Sequence, residues 1–145
     1  EKSNVNLPKR VIVAKNIKSK AKDVDINSIT KDDCIFDVSP VYIDTLKDLF
    51  NEAATIIWNG PMGMFEDRRF SSGTDSIANL IAKSKAYSIV GGGDTVSAAS
   101  KIGVLNSINY VSTAGGAFIE YLEGKSLPAL VALEKKALES AERGV

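Results

Sequence analysis

Two glycine clusters, Gly91-Gly92-Gly93-Asp94-Thr95 and Thr113-Ala114-Gly115-Gly116, each follow a short apolar run and open a helix-like pattern. A strand that turns at once into a helix restricts the fold to α/β architectures in which several such turns lie side by side. Without a Cβ, glycine lets backbone N–H groups approach a ligand closely, and the unpaired N–H groups of a helix's first turn favour anions. Two such turns on neighbouring strands suit a polyphosphate. Tight geometry alone also calls for glycine at strand-to-helix turns, so one cluster by itself carries little.

Short β-branched runs alternate with helical patterns along the chain. Val11-Ile12-Val13-Ala14, Ile35-Phe36-Asp37-Val38, Thr55-Ile56-Ile57-Trp58, Tyr87-Ser88-Ile89-Val90 and Asn109-Tyr110-Val111-Ser112 read as buried parallel strands. Ser39-Pro40 supplies a cap and a first-turn proline before Ile43, Leu46 and Phe50 at helical spacing, and Thr74 precedes Ile77, Leu80 and Ile81. Further helices are expected from Thr95 to about Lys101, from Gly116 to Leu122, and from Pro128 past Ala137 with Leu130, Leu133, Ala137 and Leu138 turned inward. Residues 16 to 33 lack apolar periodicity and read as a long loop. The expected fold is α/β: a doubly wound, Rossmann-like parallel sheet with helices on both faces and ligands at the carboxyl ends of its strands.

Composition narrows the chemistry. The 145 residues are 44% apolar and 25% charged, as in a soluble globular domain. Eighteen basic and eighteen acidic side chains cancel, which argues against nucleic acid or an anionic membrane as partner. The lysines between Lys2 and Lys31 are interrupted by acids and apolar residues and read as a solvated face. No stretch approaches a membrane span, and no signal peptide opens the chain. Cys34, the only cysteine, lies in an apolar run and reads as a buried thiol in a reducing, cytoplasmic setting. Histidine is absent, which removes Ser-His and Cys-His nucleophiles and imidazole-bound zinc, so a metal here sits on oxygen, as magnesium does on a carboxylate and phosphates.

Two look-alike motifs fail on spacing. A P-loop ending at Gly124-Lys125-Ser126 needs glycine where Ile119 stands, and a dinucleotide fingerprint from Gly91 needs glycine where Val96 stands. By contrast, Trp58-Asn59-Gly60-Pro61-Met62-Gly63-Met64-Phe65-Glu66 leaves its strand with two glycines, a proline and apolar residues, as suits a wall against an adenine ring. Glu66 then either accepts hydrogen bonds from ribose hydroxyls or is a solvated loop carboxylate.

Together the segment Trp58 to Glu66, Gly73-Thr74, Ile89 to Thr95, Val111 to Ala117 and Glu120-Tyr121-Leu122-Glu123-Gly124-Lys125 resemble phosphoglycerate kinase, in order and spacing, from about Leu7 to the C-terminus. The resemblance implies the C-terminal, nucleotide-binding part of a two-domain enzyme, with Mg-ADP or Mg-ATP bound here and phosphoglycerate bound by an N-terminal domain. It implies that Asn59, Gly60 and Pro61 line the nucleotide site and that Glu66 holds the ribose. Phosphates would meet the turn Gly91, Gly92, Gly93, Asp94 and Thr95, magnesium would sit on Asp94, and Gly115 and Gly116 would face the transferring phosphoryl group. The chain departs from the family at Ala114 and Ser39, where glycine is usual, and at Arg10, where aspartate is usual. Against the family's strand order, residues 1 to 145 read as an incomplete domain that lacks its first strands. The exposed edge is then expected to pair with another chain or to leave residues 5 to 15 displaced. The alternative is a free-standing, non-enzymatic nucleotide-binding or interaction module of the same fold.

Overall fold

A computed structural model describes residues 5–142; Lys2, counted above in the lysine-rich stretch, lies outside them. Six strands and six helices follow in the order β1 (Arg10–Ala14), β2 (Lys22–Asp25), β3 (Cys34–Val38), α1 (Pro40–Asp44), α2 (Lys47–Glu52), β4 (Thr55–Asn59), α3 (Ser72–Lys83), β5 (Tyr87–Gly91), α4 (Gly93–Ile102), β6 (Tyr110–Ser112), α5 (Gly115–Leu122) and α6 (Pro128–Glu142). Short 3-10 turns lie at 26–28, 68–70 and 105–107.

The expected parallel sheet is β4-β5-β6. Its crossovers run through α3 and α4, and with right-handed connections and sequential strand order both helices fall on one face, where they pack on each other. There Trp58 and Val90 meet Ile77, Ala78, Ile81, Ala98 and Ala99 in the main core. Gly91 shares the opposite face with Ile89 and Tyr87, and the Phe118 ring of α5 lies over it, so helices cover both faces. Elsewhere on that second face Ile57, Tyr87 and Tyr110 are exposed.

The first two predicted strands do not join this sheet. They pair antiparallel with each other, in a separate sheet of order β2-β1-β3. Val11, Ile12, Val13 and Ala14 are all buried because β1 is the central strand, and that burial reads the same in sequence whichever way the neighbours run. The connections decide the matter: no α-helix lies between β1 and β3, and parallel neighbours need a long crossover, usually an α-helix. Residues 5 to 15 are therefore not displaced as a unit, since 10–14 form the middle of their own sheet. Phe70, fully buried, stacks on Phe36 with ring centroids 4.5 Å apart and closes this smaller core.

Four local expectations need correction. Residues 16 to 33 contain β2, whose charged sequence Lys22-Asp23-Val24-Asp25 suits an edge strand. Cys34 is exposed at the start of β3, not buried. The helix expected after Pro40 breaks into α1 and α2 at Thr45, whose hydroxyl donates back to the Tyr42 carbonyl at 2.7 Å. In α6, Leu130, Leu133 and Leu138 are exposed, so the apolar residues of that helix do not point into a core among the described residues.

The three departures from the family pattern sit comfortably. Ser39 is fully buried and caps α1 by accepting from Val41 N–H, while its hydroxyl donates to Asp23 at 2.6 Å. Ala114 precedes α5 at φ −86°, a conformation open to any L-residue. Arg10 pairs with Asp23 at 3.0 Å where β1 begins.

Candidate nucleotide site

Asn59, Gly91 and Ser112 are the last residues of β4, β5 and β6 and stand opposite one another in register. The chain thus leaves all three parallel strands at one level, and the segments that follow them converge. Gly60 and Gly92 both hold positive φ, +104° and +89°, which L side chains rarely adopt. Gly60 N–H donates to the hydroxyl of Thr95 at 2.7 Å, tying the loop after β4 to the first turn of α4. A Cβ on Gly92 would meet Asn59 Oδ1 at 3.0 Å, and one on Gly115 would lie 3.7 Å from the Gly92 backbone. The structure therefore brings together Asn59, Gly60, Gly91, Gly92, Thr95 and Gly115 from segments far apart in sequence.

The glycines of the two clusters divide by their surroundings. Gly91 is fixed by packing, since a Cβ there would enter the Phe118 ring, and Gly92 by its backbone angle. Gly93 and Gly116 have neither reason: a Cβ on either would meet nothing within 4 Å, and neither holds a positive φ. Both lie in the first turn of a helix, α4 and α5, whose N-terminus no side chain caps. A methyl group on either would therefore occupy open space beside the first turn of its helix, where N–H groups lack intrahelical partners; that of Gly115 donates to the Thr113 carbonyl at 3.2 Å.

Asp94 is exposed in the first turn of α4. Among the described residues no group of three or more His, Cys, Asp or Glu side chains could hold a bare metal ion. One accessible carboxylate beside phosphate-facing N–H groups fits magnesium arriving with a nucleotide, because magnesium takes one or two carboxylates and fills its octahedron with phosphate oxygens and water.

Pro61 is half-buried, and the loop runs on to Phe65, which is buried beside the last turn of α4. Lys101 donates from Nζ to the Phe65 carbonyl at 3.0 Å. Glu66, next in sequence and exposed, thus follows a residue anchored at the far end of α4 from Asp94. Asp94 and Lys101 are separated by about 10 Å along the helix axis.

Two side chains that sequence reasoning missed brace the site. Asp37 is 1% exposed in β3 and accepts from Val38 N–H and Gly73 N–H, each at 2.8 Å, and from the Ser72 hydroxyl at 3.3 Å. Thr74, fully buried in the first turn of α3, accepts from Met62 N–H at 3.1 Å and Gly63 N–H at 3.4 Å. A carboxylate in the middle of an apolar strand pattern was the available signal for Asp37. Thr74 precedes the apolar residues Ile77, Leu80 and Ile81, as the spacing indicates, and lies within α3, which begins at Ser72.

Burial pushes the Asp37 carboxyl up to about 6, outweighing the hydrogen bonds that favour its ionised form. The folded protein then holds a proton that the unfolded chain gives up near 4, so this contribution to stability is complete below about pH 4 and lost as pH rises through 6. The full span corresponds to about 3 kcal/mol at most. Asp33 and Asp67, whose carboxyls are lowered by hydrogen bonds from Thr30 and Arg69, act in the opposite sense and only at more acidic pH. Urea unfolding is expected to require more denaturant at pH 4.5 than at pH 7, and Asp37→Asn to flatten that difference; a wild-type profile flat over this window would contradict the assignment.

The fold and site define an α/β protein with a parallel sheet and two glycine-rich turns meeting at its carboxyl edge. The model of one family, phosphoglycerate kinase, matches residues 1–125, and the chain belongs to that family. It is 48% identical over 139 residues to a phosphoglycerate kinase of Coxiella burnetii, covering 94% of this chain and 36% of that protein. The solved structure of a phosphoglycerate kinase from Coxiella burnetii superposes with a TM-score of 0.80 at 50% identity, over 86% of this chain and 33% of that one. The phosphoglycerate kinase of Pyrococcus horikoshii OT3 superposes with a TM-score of 0.78 at 31% identity, over 89% and 32% of the two chains. The chain spans about a third of the length of these relatives.

Proposed function

We propose that this chain is the C-terminal, nucleotide-binding part of a phosphoglycerate kinase and binds Mg-ADP or Mg-ATP at the carboxyl ends of β4, β5 and β6. The observation that carries this reading is the pair Gly93 and Gly116, glycines that the fold does not require, at two uncapped helix N-termini joined through the contact of Gly92 with Gly115. In the whole enzyme the reaction is reversible transfer of a phosphoryl group from 1,3-bisphosphoglycerate to ADP, giving ATP and 3-phosphoglycerate, with the acid substrate held by a separate N-terminal domain.

Each residue then has a role. Asn59, Gly60 and Pro61 form the wall beside the base, and Glu66 accepts from the ribose hydroxyls. The first-turn N–H groups of Gly93, Asp94 and Thr95 orient phosphate oxygens; the Thr95 hydroxyl is engaged with Gly60. Gly115 and Gly116 let the N–H groups of α5 approach the phosphoryl group, whose charge spreads over its oxygens so that positioning and electrostatics supply most of catalysis. Asp94 holds the magnesium ion, which neutralises phosphate charge when bound.

Phosphoryl transfer also needs cationic side chains, and a single arginine can be worth ~10³ or more in rate. In the family the cations that meet the acid substrate belong to the N-terminal domain, so this chain on its own is expected to bind nucleotide without transferring a phosphoryl group. Turnover by the isolated chain in a coupled assay at ~1–100 s⁻¹, the range of ordinary kinases, would refute that. The binding itself is tested by calorimetric titration of Mg-ADP into the chain. Saturable binding is expected, with Asp94→Ala weakening it about tenfold or more in magnesium but little when magnesium is replaced by EDTA. Equal affinity of the variant and wild type in magnesium would remove Asp94 from the site.

A further inference from the structure

The loop between β4 and α3 is held from two sides by buried threonine hydroxyls. Thr95, 1% exposed, reaches it from α4 and takes the N–H of Gly60; Thr74, 0% exposed, reaches it from α3 and takes those of Met62 and Gly63. Its other fixings include main-chain and indole bonds and the Lys101 ammonium on the Phe65 carbonyl at 3.0 Å. Met64 N–H donates to the Phe36 carbonyl at 2.9 Å, and Trp58 Nε1 donates to the Gly60 carbonyl at 2.9 Å. Gly63 is pressed so closely on Asp37 that a Cβ would come within 2.6 Å of that side chain's own Cβ.

We propose that Thr74 is a positioning residue: together with Thr95 it clamps the loop 60–65 at a fixed height over the strand ends, and so presets the wall against which the nucleotide base packs. This rests on the nucleotide reading above. Thr74 itself faces the loop's interior side and is fully buried, so it acts through Met62 and Gly63 rather than by touching the ligand. The hydroxyl is the part that matters. Valine has nearly the same shape, but it would leave two N–H groups without their acceptor, and a half-satisfied buried loop gains by moving towards water. Loop closure on binding would then cost ordering that the native loop has already undergone.

The test compares Thr74→Val with Thr74→Ser by amide hydrogen exchange and by Mg-ADP titration. Valine is expected to speed exchange at Met62 and Gly63 at least tenfold while leaving Ile81 in α3 and Val90 in β5 unchanged, and to weaken Mg-ADP about tenfold. Serine, which keeps the hydroxyl, is expected to restore both. Unchanged exchange at Met62 and Gly63, or faster exchange at all four positions together, would overturn the clamp. Selectively faster exchange with unchanged Mg-ADP affinity would overturn its role in binding. Exchange decides the clamp without ligand, so absence of Mg-ADP binding by the wild-type chain would count separately, against the proposed function.

Discussion

Gly73→Ala is expected to lower the unfolding free energy by about 3 kcal/mol or more, because a methyl group at that position has nowhere to go. Its Cβ would lie far inside van der Waals contact of both the Val38 carbonyl oxygen and Asp37 Oδ1. One of these is backbone of β3, and the other is a carboxylate held by the very N–H of Gly73. Relief requires the first turn of α3 to lift from β3, which breaks the Gly73 to Asp37 hydrogen bond and leaves a buried acceptor poorly served. Thr74 would move with it, and with Thr74 the loop that it holds. Chemical denaturation followed by far-ultraviolet circular dichroism checks this; a loss below 1 kcal/mol would mean that α3 is seated less tightly on β3 than these contacts require.

The second large effect runs in opposite directions on stability and on binding. Gly93→Ala and Gly116→Ala each place a methyl group in open space at a helical position with ordinary φ, where alanine is favoured over glycine by up to ~1 kcal/mol. Each variant is therefore expected to melt at the same temperature as the wild type or a few degrees higher. Mg-ADP affinity is expected to fall at least tenfold, because the same methyl groups narrow the approach to the first-turn N–H groups of α4 and α5. Thermal melts and calorimetry on the same samples separate the two effects. Undiminished affinity in both variants would mean that phosphates do not rest on these turns, whatever the stability shows. A similar swap at Gly91 would not make this distinction, because there the Phe118 ring fills the space and the fold itself would suffer.

Much of the candidate site was legible because its signals are local. An apolar run followed at once by Gly91-Gly92-Gly93 or by Ala114-Gly115-Gly116 states a strand, a turn and a helix in a single stretch, and the helices duly begin at Gly93 and Gly115. That Gly91 and Gly92 are required by the fold while Gly93 and Gly116 are not could not be read this way. The distinction depends on Phe118 and Asn59, which approach from other segments. Likewise the value of Asp37 and Thr74 lies in partners 11 to 36 residues away in sequence.

By itself the sequence determined the α/β character, the parallel sheet of β4, β5 and β6, the glycine turns at its carboxyl edge and the family resemblance, all of which rest on neighbours in the chain. Only the tertiary structure decided that β1 and β3 run antiparallel in a second sheet, that Cys34 and the leucines of α6 are exposed, and that two threonines hold the loop beside the site while an aspartate seats the start of α3. The physical reason is common to these cases. Periodicity reports how much apolar surface a segment offers for burial, whereas strand direction, the covering of a helix face and the partner of a buried hydroxyl are set by segments that meet only when the chain folds.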